Sequence, residues 1–64
     1  MFAIKNNFGK YFAKGYWSTN IKDKDLHKIG RKIDAKLICE LLMDCNTYYN
    51  IAIDEKLTIE KIPN

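Results

Sequence analysis

RKIDAKLICELLMDCN, Arg31 to Asn46, decides the fold of this 64-residue chain. No other stretch is as long and as periodic. Its interior is rich in Ala, Lys, Leu, Glu and Met, all good helix formers, and holds neither Pro nor Gly. Gly30 precedes it as an N-cap. Asp34 falls in the first turn, where a carboxylate meets the positive end of the helix dipole. Asn46 and Thr47 supply the stop. The spacing predicts a helix over 31–46.

The faces of that helix carry the functional information. Lys32, Lys36, Glu40 and Asp44 recur every four residues as a polar stripe, and Lys36 is placed to pair with Glu40. Nearly everything else is apolar. At roughly 100° per residue the apolar arc covers about two-thirds of the circumference, more than one packed layer needs. Leu37, Leu41 and Cys45 lie on one flank, Ala35, Cys39, Leu42 and Met43 on the other, with Ile38 between. Loops and N-terminal aromatics could cover the second flank. The sharper expectation is a homodimer whose interface is Ala35, Cys39, Leu42 and Met43, because apolar patches above a few hundred Å² mark interfaces.

A chain this short has a small core and commonly leans on a disulfide, a metal or self-association. Cys39 and Cys45 are six residues apart on one helix, about 9 Å along its axis, too far to bridge. The only histidine, His27, sits in another segment, so no metal and no cofactor are expected. Self-association is the brace left. Neither a signal peptide nor a membrane span is legible, and a cytoplasmic protein is expected. Charge is uneven: residues 1–32 carry eight basic against two acidic side chains, and residues 33–64 carry three against six. Such a division orients a field and suits self-complementary pairing.

From the N-terminus, Phe2 and Ile4 alternate with Ala3 and Lys5 as a half-buried strand. Asn6-Asn7-Phe8-Gly9 is a turn signal. Lys10-Tyr11-Phe12-Ala13 is β-prone and should close a hairpin. Lys14-Gly15 turns again into a short strand, Tyr16-Trp17-Ser18. Ser18 to Lys28 is polar, with Ile21 and Leu26 as anchors and a single helical turn expected over Asp23–His27. Leu26 and Ile29 should plug the core. After the helix, Ile51-Ala52-Ile53 and Leu57 to Ile62 read as two short strands or one bent strand. The fold class is α+β: a small antiparallel sheet, built from the N-terminal hairpin and the C-terminal strand or strands, packed by one main helix in a single domain over 1–64.

Gly9 to Phe12 (GKYF), Tyr16 to Ser18 (YWS), Ile21 to Leu26 (IKDKDL), Ala35 to Cys39 (AKLIC) and the β-prone tail recur in this order elsewhere. In them the chain resembles small proteins encoded by phages and prophages of low-GC Gram-positive bacteria. The likeness covers most of the chain and departs at His27 to Gly30, where a Ser or Thr cap would stand. It implies a hairpin–helix–strand fold and a non-enzymatic inhibitor that binds a host protein, as anti-CRISPR and other anti-defence proteins do. Fold-level analogy alone does not establish function.

An enzyme is not expected. His27 stands alone among lysines, Asp23 and Asp25 read as solvated loop carboxylates, and Ser18 has no evident base. The leading reading is a protein-interaction module with Tyr16, Trp17, Tyr48 and Tyr49 as partner-binding anchors, since Trp and Tyr dominate interface hot spots. The competing reading is nucleic-acid binding through Lys5, Lys10, Tyr11 and Lys14, with lysines on phosphates and the ring stacked on a base. A single Arg in the chain weakens it, because Lys cannot make bidentate phosphate contacts.

Overall fold

The structure is a computed structural model that describes residues 1–49, 51 and 55–63. Its elements run β1 (Phe2–Lys5), β2 (Tyr11–Phe12), β3 (Trp17–Ser18), α1 (Lys32–Asp44) and β4 (Thr58–Lys61). Among the described residues the four strands form one antiparallel sheet in the order β3-β2-β1-β4, and one helix lies across it. This is the α+β architecture expected. The strand read over Ile51–Ile53 lies outside the described residues, apart from Ile51, which is buried.

The first hairpin turns on Asn6. Its Oδ1 accepts hydrogen bonds from the amides of Phe8 and Lys10, and Gly9 takes a positive φ of 75°. A glycine reaches that region without the Cβ clash other residues suffer. Beyond the Lys5↔Tyr11 pair the hairpin strands turn to another partner. Phe2 exchanges both backbone bonds with Ile29, while Phe12 and Lys14 bond to His27 and Asp25. The run Asp25–Ile29 thus takes up hydrogen bonds from both strands at the open end of the hairpin. A helical turn expected over Asp23–His27 gives way to tight turns followed by this extended, sheet-like stretch.

That insertion explains why β1 is buried on both sides. Phe2 and Ile4 face the helix with Phe12, Trp17 and Ile59. Ala3 faces the other way, where Tyr11, Leu26 and Ile62 form a second small core with Ile21 packed against it. The half-buried strand expected from alternation is therefore corrected. The polar connection carries two apolar anchors that roof the sheet's outer face.

The helix starts one residue later than its sequence suggests. Arg31, extended at φ −121° and ψ 142°, is the N-cap, and its side chain makes no capping bond. Its guanidinium instead binds both oxygens of Asp34, at 2.8 and 3.1 Å. Among the described residues this is the ion pair formed, and the Lys36–Glu40 pair is not. At the far end the Cys45 amide bonds back to the Leu41 carbonyl.

The helix presents Ala35 and Leu42 to the core, with Ile38, Cys39 and Met43 packed partly against it. Leu42 is 3% exposed and its neighbour Leu41 is 63% exposed. The flank assigned to a partner chain is therefore the flank that the chain's own sheet covers. Ala35 is fully buried in the same core cluster as Ile4 of β1. Ile33 and Leu37, each more than half exposed, join Leu41 on the outside.

Candidate protein-binding groove

Phe12 leaves β2 on the helix side of the sheet and stands at the centre of an aromatic cluster. Trp17 lies 5.4 Å away, His27 5.4 Å, and Tyr49 5.7 Å edge-on. Tyr48 meets Tyr49 edge-to-face at 4.9 Å. Such tilted geometries match the ring quadrupoles and add about 0.5–1.5 kcal/mol per pair beyond burial. The Trp17 Nε1–H donates to the Tyr49 carbonyl at 2.8 Å, so β3 holds the chain that leaves the helix.

This fastening shapes a groove with two lobes. The larger, about 590 Å³, runs between Phe12, His27 and Lys14 on the sheet side and Leu41, Cys45 and Tyr48 on the helix side. The smaller, about 210 Å³, lies among Tyr16, Trp17, Tyr48 and Tyr49. Phe12, Gly15, Tyr48 and Tyr49 line both lobes. Tyr48 is 81% exposed at the rim. The groove is chiefly apolar, and Lys14 places one cationic side chain on its sheet-side wall.

Tyr16, Trp17, Tyr48 and Tyr49, singled out from the sequence as anchors, are thus brought to one place. Phe12, His27 and Leu41 were not foreseen there. The signal for Leu41 was its place beside Leu37 and Cys45, read as one flank but not as the outer one.

The nucleic-acid residues are not gathered in this way. Tyr11 is 8% exposed in the outer-face core, so its ring is not open for a base to stack on. Lys5 lies over that ring at 5.7 Å, Lys10 is at the hairpin turn, and Lys14 belongs to the groove. The Glu60 carboxylate beside the Tyr11 hydroxyl, together with burial, raises that phenol above its ordinary value. Of the expected dimer residues, Ala35 and Leu42 are inside, while Cys39 and Met43 are half-buried along a shallow hollow beside Leu57. Both cysteines are free thiols, and burial raises that of Cys39.

Asp23 and Asp25 are not idle loop carboxylates. The Tyr16 hydroxyl donates to Asp23 at 2.7 Å and lies 3.4 Å from an Asp25 oxygen. Ser18 Oγ also donates to Asp23, at 2.9 Å. These bonds hold Asp23 below the usual carboxylate range and push Tyr16 up to about 12. They tie β3 to the following turn and fix the wall of the smaller lobe.

Set against known protein families, curated proteins and solved structures, the chain matches none. No helix among the described residues is long and apolar enough to cross a membrane.

Proposed function

We propose that the chain is a protein-interaction module that seats a segment of another protein in the groove between Tyr48, Leu41 and the Phe12 cluster. One observation carries the reading. Large apolar and aromatic side chains stand exposed around a preformed concavity, with Tyr48 at 81% and Leu41 at 63%. A small chain gains nothing in stability from exposing such groups, and aromatic anchors beside a pocket are what interface hot spots are made of. The Lys14 ammonium on the rim favours a segment with an apolar side chain next to an acidic one.

The phage-like motifs extend this reading to an inhibitor of a host defence protein. Two free thiols suit a reducing compartment such as the host cytoplasm. The test is affinity capture from a low-GC Gram-positive lysate with wild type and Tyr48→Ala as baits, both shown folded by circular dichroism. A host protein retained by the wild type and depleted at least about tenfold by the variant supports the reading. Identical captures by the two baits overturn it.

A further inference from the structure

Four charged side chains on the helix stand in an order that works against their own helix. Lys32 begins α1 and Asp44 ends it. A cation at the N-terminus and an anion at the C-terminus both oppose the helix dipole. Lys36 and Glu40 continue the division, basic toward the start and acidic toward the end. All four are exposed, and none makes an ion pair among the described residues. They run alongside Ile33, Leu37 and Leu41, a ridge of exposed apolar residues four apart.

We propose that this ridge packs against the same ridge of a second copy, with the two helices antiparallel about a two-fold axis near Leu37. The helix of 13 residues is about 20 Å long, enough for the three ridge residues to interdigitate with three others. In a two-fold interface a residue meets its partner reciprocally. The antiparallel arrangement therefore sets Lys32 and Lys36 of each copy against Glu40 and Asp44 of the other, twice over. It also places Lys32 near the partner's helix C-terminus and Asp44 near the partner's N-terminus, which corrects both dipole mismatches. A parallel two-fold pair would carry the two stripes to opposite sides of the interface, where neither meets the other. An unrelated partner would give no reason for the charges to be antisymmetric about the ridge centre. The interface proposed uses Ile33, Leu37 and Leu41 in place of the buried flank, and it borders the groove only at Leu41.

The test is solution mass by light scattering and sedimentation, at low salt and up to about 1 mM, the weak end of specific association. Twice the 7.5 kDa chain, about 15 kDa, is expected for the wild type. Lys32→Glu/Lys36→Glu makes the stripe wholly acidic, and Glu40→Lys/Asp44→Lys makes it wholly basic. Each alone should dimerise at least about tenfold more weakly, and an equimolar mixture of the two should regain the wild-type mass. Because the reversed sites are exposed, circular dichroism should report unchanged helix. A wild type of 7.5 kDa throughout overturns the proposal. So do reversed variants that dimerise as tightly as the wild type, or a mixture that fails to associate.

Discussion

Tyr16 is the residue whose chemistry is most altered by the fold. The hydrogen bond it donates to Asp23 pushes its phenol up to about 12. A raised folded value means that the stabilisation is full below the unfolded value of 10.0 and is lost as pH climbs toward 12. Asp23, held low, works in the opposite sense: its contribution is present above the ordinary carboxylate value and fades as pH falls below it. Phenolate absorbance should therefore show one of the four tyrosines ionising last, and Tyr16→Phe should remove that final step. Persistence of the step in the variant would show that another tyrosine owns it. The two thiols separate as cleanly. Cys45 is exposed and Cys39 is half-buried with a raised pKa, so a thiol reagent should label Cys45 first. Equal rates, or Cys39 reacting first, would mean that the helix is rotated from the orientation described.

Turns and the inserted run decide the elements. A Cβ added at Gly15 would meet open space, but the φ of 79° there is a backbone conformation that L residues rarely adopt. Gly15→Ala should cost about 1 kcal/mol in urea unfolding from backbone strain alone. An unchanged midpoint would place the turn in another conformation. Leu26 roofs the outer face of the sheet, and Leu26→Ala should remove about 2–5 kcal/mol in the same measurement. The Asn6–Gly9 turn, the short strands and the helix were legible because their signals are local: an Asn and a Gly at fixed offsets, and helix formers in an unbroken run. The double burial of β1 was not. Alternation predicts one buried face, and the cover for the second comes from Ile21 and Leu26, more than 15 residues away in the chain. Nor does any local rule explain why Lys36 and Glu40 stay apart while Asp34 pairs with the N-cap arginine.

For the whole molecule the issue is which side of the helix the sheet takes. A helical wheel shows that the apolar arc is too wide, and that much was readable. It does not show where the arc's inner edge lies, because that depends on how the chain is led onto the helix and off it. Ile29 bonded to Phe2 fixes one end, and Trp17 bonded to the Tyr49 carbonyl fixes the other. With both ends pinned, Ala35 and Leu42 point inward and Ile33, Leu37 and Leu41 point outward. The candidate site was legible in the same partial way. Its tyrosines and tryptophan were named from side-chain type, while Phe12, His27 and Leu41 joined it only through long-range packing. Neighbouring leucines thus hold opposite duties, and unfolding free energies of Leu41→Ala and Leu42→Ala, measured in solution dilute enough to be monomeric, test this most directly. Leu42→Ala should lose about 2–5 kcal/mol or fail to fold, and Leu41→Ala should stay within about 0.5 kcal/mol of the wild type. Equal losses, or the larger loss at Leu41, would contradict a helix that turns Leu42 to its own sheet and leaves Leu41 on the outside.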